Sequence, residues 1–101
     1  MIKLSDKLAK DISGQTIARQ LVRSGASVTA NVREARAARS KKDYINFYHH
    51  ALKSANETEL WISLARDSGK IKSEESARLL EETKEIAKIL AASIITMKKN
   101  K

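Results

Sequence analysis

Gln20-Leu-Val-Arg-Ser-Gly-Ala-Ser-Val-Thr-Ala-Asn-Val-Arg-Glu-Ala35 carries a helical period, yet small and polar residues stand where a packed helix is ordinarily apolar. Ile17, Leu21, Ser24, Val28, Asn31, Ala35 and Ala38 recur at spacings of four and three, the mark of one helix face packed against another. Gln20, Arg23, Ser27, Asn31 and Glu34 run on and beside that face. Small side chains let a second helix come close, and any buried hydroxyl, amide or carboxylate needs a partner there. The stretch therefore reads as the polar seam of a helical bundle. Helix propensity is poor across Ser24-Gly25-Ala26-Ser27-Val28-Thr29 and taken alone would break the chain. The unbroken register through Ala38 instead predicts one helix over 17–39, with Thr16 as its N-cap.

Working outward, Met1, Leu4, Leu8 and Ile12 form a short apolar stripe that predicts a first helix over 2–13. Gly14 then offers a left-handed turn position. Ser40 with Asp43 three residues on is an approximate capping box for a third helix over 41–68, which Gly69 is placed to stop. Tyr44, Tyr48, Ala51, Ala55, Thr58, Ile62 and Ala65 are its packed face. A fourth helix is predicted over 73–98, with Glu74 and Glu75 suited to the positive end of its dipole and Lys98 and Lys99 to the negative end. Its packed face is Leu80, Thr83, Ala87, Leu90, Ile94 and Met97, widened by Leu79, Ile86 and Ile89. Long helices joined by short connections pack as antiparallel neighbours. The expected fold is all-α: a single domain over 1–101, an up-down-up-down antiparallel four-helix bundle with a short first helix.

Composition agrees. There is no proline, three glycines and 4 % aromatic residues, which argues against a sheet. No cysteine is present, so disulfides, thiolate chemistry and cysteine-ligated zinc are excluded. Charged residues interrupt the one N-terminal apolar stretch, and Lys88 cuts the longest apolar run, so neither a signal peptide nor a membrane span is expected. A cytoplasmic location is the expectation. The net charge of +8, from 20 Lys and Arg against 12 Asp and Glu, favours anionic partners.

Beyond the seam, the residues Ser40-Lys-Lys-Asp43, Ala51-Leu52-Lys53, Ala55-Asn-Glu-Thr-Glu59, Trp61 and Ser68-Gly69 follow in order. Together with residues 20–31 and Glu34-Ala35 they resemble the small four-helix-bundle proteins encoded by intervening sequences in bacterial 23S ribosomal RNA genes. The resemblance implies an antiparallel bundle assembled as a homopentameric ring, with no enzymatic activity attached to it. A related group, the accessory variability proteins of diversity-generating retroelements, binds RNA and a reverse transcriptase through a basic pentameric barrel. The first helix here is shorter than that pattern, which leaves apolar surface for a partner subunit.

Arg33, Arg36, Arg39, Lys41 and Lys42 make the end of the second helix and the turn after it strongly basic. Long cations in this arrangement suit phosphate contact without base specificity; the competing explanation is a solvated charged face. Gln20, Arg23, Ser27, Asn31, Glu34, Asn56 and Glu59 are expected to form structural hydrogen bonds or ion pairs rather than a metal or acid–base site. A di-iron bundle would need Glu-x-x-His pairs, and neither His49 nor His50 has a glutamate three residues earlier. No catalytic residue, metal ligand or cofactor site is expected. Tyr44, Phe47, Tyr48 and Trp61 are spaced for core or interface packing, with base stacking the alternative. The reading that follows is a non-enzymatic homo-oligomer that binds nucleic acid, structured RNA above all. Its rival is a protein-interaction scaffold or accessory subunit, for example to a reverse transcriptase.

Overall fold

The computed structural model describes residues 2–8 and 11–100. The described residues are all-helical: α1 (Ile2–Leu8), α2 (Ile12–Arg36), α3 (Lys41–Asp67) and α4 (Ser73–Lys99). Three long helices make the body, 49 × 21 × 15 Å in extent, and α1 is a short helix packed on α2. α3 is central and packs against both α2 and α4. Ser24 faces Thr58 and Ser27 faces Ser54, so numbers rise along α2 as they fall along α3, which makes the pair antiparallel. With seven residues, α1 leaves most of the length of the long helices without a fourth companion.

The first helix and its junction differ from the sequence expectation. α1 stops at Leu8, and the start of α2 moves forward from residue 17 to Ile12. Asp11, not Thr16, is the N-cap: its carboxylate accepts the Gly14 amide at 2.6 Å. The Thr16 hydroxyl instead donates back to the Ile12 carbonyl at 3.3 Å. Gly14 is buried in the first turn of α2 rather than in a left-handed turn, and the only positive φ among the described residues is at Gly69, 73°. A Cβ on Gly14 would run into the Leu8 carbonyl oxygen, so the missing side chain is what lets α1 fold back against α2. The apolar stripe divides accordingly, with Leu4 and Leu8 buried and Ile12 84 % exposed; Met1 lies outside the described residues. Lys70, from the α3–α4 connection, reaches the Asp11 carboxylate at 3.0 Å. The Gly14 amide first and Lys70 second hold the Asp11 carboxyl below the ordinary aspartate range.

The other boundaries follow the local chemistry. α2 runs unbroken through its weak centre, because Leu21 and Ser24 are completely buried against neighbouring helices. It ends at Arg36, three residues before the expected 39. The Ser40 hydroxyl accepts the Asp43 amide at 3.1 Å and caps α3. At the other end the Gly69 amide donates to the Arg66 carbonyl and the Lys70 amide to the Ala65 carbonyl, which closes the helix in a Schellman motif. α4 ends at Lys99, one residue beyond the expectation.

Two apolar clusters hold the helices together. One joins Leu4, Leu8, Ile17, Leu21, Ile62, Ala65 and Ile71, with Trp61, Leu79 and Leu80 against it. The other centres on Ala51, Ala55 and Leu90, flanked by Val28, Val32, Tyr48, Leu52 and Ala87. Ile86 and Ile89 do not widen the packed face of α4: they are 46 % and 64 % exposed.

The two glycines make different demands, and unfolding in urea distinguishes them. Gly69→Ala meets open space and carries only the left-handed penalty, about 1–2 kcal/mol. Gly14→Ala must displace backbone at the α1–α2 junction and is expected to cost more than Gly69→Ala.

Candidate nucleic-acid interface

The α2–α3 contact is built from hydroxyls. Ser24 is fully buried, and its Oγ lies 2.9 Å from the Thr58 hydroxyl. Thr58 also donates to the Ser54 carbonyl at 2.8 Å, and Ser54 donates to the Ser27 hydroxyl at 2.8 Å. The Asn31 amide extends the chain, donating to the Ser27 carbonyl at 2.8 Å and to its hydroxyl at 3.1 Å. Among the described residues no buried side-chain nitrogen or oxygen lacks a partner. At the solvent edge Gln20 accepts from the Arg23 Nε at 2.8 Å, and Arg23 pairs across to Glu57, which also accepts from the Trp61 indole at 3.4 Å. The ion pair is open to water, with Arg23 54 % and Glu57 31 % exposed, so screening keeps its contribution small.

The expected seam is thus assembled in part. Gln20, Arg23, Ser27 and Asn31 belong to it, whereas Glu34 and Asn56 are exposed and Glu59 is half-buried outside the network. Thr58 is a hydrogen-bonding member rather than a filler of the apolar face. Ser54 escaped the sequence reading altogether; its place one helical turn before Thr58 was the available signal. Among the described residues no cluster of His, Cys, Asp or Glu has the makings of a metal site.

Arg33, Arg36, Arg39, Lys41 and Lys42 are all exposed, and the short connection between α2 and α3 gathers them at one end of the molecule. Because α4 runs antiparallel to α3, its last turn with Lys98 and Lys99 reaches the same end. There Tyr44 and Tyr48 stack with ring centroids 5.0 Å apart and an interplanar angle of 18°. They line an open groove of about 460 Å³ with Ile89, Ala92, Ser93, Thr96 and Met97. The shared Tyr44 hydrogen bond first, and burial second, push the Tyr48 phenol up, while the Arg36 charge opposes them. His49 and His50 are both exposed. No helix among the described residues is long and apolar enough to cross a membrane.

This three-helix body with its hydroxyl seam has known relatives. The model of the 23S rRNA-intervening sequence protein family matches residues 1–92. The chain belongs to this family. Its fold is also similar to the crystal structure of a protein of unknown function from the S23 ribosomal protein family of Bacteroides thetaiotaomicron. That match has a TM-score of 0.86 at 36 % identity and covers 92 % of this chain and 86 % of the other. No curated protein matches the chain. The family match spans the whole of α1, α2 and α3 and stops within α4, before its last turns.

The hydroxyl network is testable by a double-mutant cycle. Thr58→Val, which strands the buried Ser24 hydroxyl, is expected to cost about 1–3 kcal/mol in urea unfolding. The pair Ser24→Ala with Thr58→Val should cost less than the sum of the single changes, because the second removes a group the first has already orphaned. Strict additivity would mean that the two hydroxyls act independently.

Proposed function

We propose that this protein is a non-enzymatic, oligomeric helical bundle of the cytoplasm that binds nucleic acid, structured RNA above all, through the basic end of α2, α3 and the turn between them. The observation that carries the proposal is the position of Lys41 and Lys42. Both stand in the first turn of α3, at the positive pole of its macrodipole, where a cation is disfavoured by a few tenths to about 1 kcal/mol. Arg33 and Arg36, in the last turn of α2, are accounted for by helix stability; Lys41 and Lys42 are not. An anionic ligand explains their presence, and the net charge of +8 together with a family defined by ribosomal RNA genes favours RNA. Arg33, Arg36, Arg39, Lys41 and Lys42 would contact phosphates and carry little base specificity.

The assembly we infer is a homo-oligomer, a pentameric ring. Its support is the short α1, which leaves the body one long helix short of a four-helix bundle, and the exposure of Ile86, Ile89 and Ile95 at 46 %, 64 % and 56 %. These exposed isoleucines also favour the second reading, a scaffold or accessory subunit seated on another protein such as a reverse transcriptase.

Two measurements test these proposals. Light scattering across a concentration series should give a mass near five chains; a stable 11.3 kDa species at micromolar concentration would refute the oligomer. Binding to structured RNA should fall steeply with salt, and the triple change Arg36→Gln, Arg39→Gln, Lys42→Gln should weaken it on every RNA alike. The salt slope should flatten by roughly 0.7–0.9 for each phosphate that is no longer neutralised. Unchanged affinity and slope, with helical content intact, would remove this surface; an absence of RNA binding by the wild type at low salt would favour the protein scaffold.

A further inference from the structure

An open groove runs between the start of α3 and the end of α4. One wall is the stacked Tyr44–Tyr48 pair, and the other is Ile89, Ala92, Ser93, Thr96 and Met97. Its volume is about 460 Å³. Cations stand close to its lining residues in the sequence. Lys41 lies one helical turn before Tyr44, Lys98 and Lys99 follow Met97 directly, and the Arg36 charge acts on the Tyr48 phenol. Tyr44, Tyr48, Ile89 and Ala92 lie within the residues matched by the family model, and Ser93, Thr96 and Met97 lie beyond them.

We propose that this groove seats an unpaired base of single-stranded RNA, with the flanking phosphates on Arg36 and Lys41 at one rim and on Lys98 and Lys99 at the other. The proposal rests on the RNA-binding reading above and extends it from the α2–α3 turn to the last turn of α4. Charge complementarity and wall chemistry select the occupant. Tyrosine faces and aliphatic side chains accept the π-face of any base, while these cations take the backbone on either side. A duplex buries its bases in its own stack and cannot deliver one to a groove of this kind; loops, bulges and single strands can. The Tyr44 and Tyr48 hydroxyls and those of Ser93 and Thr96 supply polar contacts without committing the site to one base.

Electrostatics alone predicts the reverse preference, because a duplex carries the higher charge density and releases more counter-ions for each phosphate neutralised. The test is fluorescence anisotropy at matched low salt with a labelled 12-nucleotide single-stranded RNA and with the perfect duplex of the same sequence. The single strand should bind more tightly. Tyr48→Leu, which removes a stacking face, and Ala92→Leu, which narrows the groove from an exposed position, should each weaken single-strand binding about ten-fold and leave duplex binding unchanged. Duplex binding equal to or tighter than single-strand binding, with both variants unaltered, overturns the groove and leaves the basic-end reading standing. Absence of binding to either RNA overturns both. Circular dichroism and light scattering on the same samples complete the test. If Ala92→Leu changes the oligomeric mass while single-strand affinity holds, the groove is an interface between copies and the proposal is wrong.

Discussion

The hydroxyl contact between Ser24 and Thr58 governs the rest of the structure. Ser24 is completely buried and Thr58 nearly so, and two hydroxyls that leave water need each other. A slip of α2 along α3, or a rotation of either helix, would break this contact and the Ser27–Ser54 one, leaving Thr58 its bond to the Ser54 carbonyl and Ser24 only a 3.4 Å approach to the Leu21 carbonyl. Apolar packing tolerates such shifts far better, because one methylene can replace another. The seam therefore sets the register. Once the register is set, Leu21 and Ile62 fall into the same apolar cluster, and Ala51 and Ala55 meet Val28 and Val32 in the second. The small residues on both helices keep the backbones close enough for hydroxyl to reach hydroxyl. The side chains turned away from the seam, Arg33 and Arg36 among them, are left to the solvent.

How much of this was legible in the sequence differs from element to element, for physical reasons. The seam of α2 was readable because a four-three register persists through residues of poor propensity, and only tertiary packing explains that pattern. The ends of α3 were readable because Ser40 and Gly69 each solve a terminal hydrogen-bonding problem in a way few other residues do. The start of α2 was misplaced because Thr16 and Asp11 are both competent caps, and the choice between them depends on two tertiary facts. Lys70 comes from the α3–α4 connection to meet Asp11, and the Leu8 carbonyl occupies the space a Gly14 side chain would need. The Lys70 contact lies far from the cap in sequence, and the Leu8–Gly14 approach, though only three residues to either side of Asp11, depends on how α1 folds back on α2. Glu34, Asn56 and Glu59 were drawn into the seam by residue type, whereas membership depends on which face of the helix looks inward. Ser54 does look inward, and a lone serine on a helix carries too little signal to announce that.

The charge pattern separates what stability requires from what it does not. Cations at the ends of α2 and α4 complement the negative poles of those helices, and glutamates at the start of α4 complement the positive one. Lys41 and Lys42 oppose the pole they occupy, and Asp43 offsets them only in part. Antiparallel packing then adds a consequence that no single helix holds. The negative poles of α2 and α4, already dressed with cations, stand beside the positive pole of α3, itself an anion-attracting element. The cations in the last turns of α2 and α4 offset the negative poles of those helices, while Lys41 and Lys42 add to the positive pole of α3.

The opposite faces of α4 serve different ends. Leu90 and Ile94 point into the body and are buried, while Ile86, Ile89 and Ile95 lie on the outside with their apolar surface uncovered. They do not form one face: at 3.6 residues per turn Ile95 stands on about the opposite side of the helix from Ile86, and Ile86 and Ile89 alone lie on adjacent positions. The short α1 lies at the far end of the molecule, packed against the beginning of α2, and cannot reach the last turns of α4. Ile89 also lines the tyrosine groove, so a partner seated on Ile86 and Ile89 would reach the groove's edge. A neighbouring copy that stopped at Ile86 would leave Tyr44, Tyr48 and the terminal lysines open to a nucleic acid strand; one that continued past Ala92 would close them. Ile86 and Ala92 are separated by nearly two helical turns, and on the proposed oligomer and RNA readings that stretch of α4 would set whether one excludes the other.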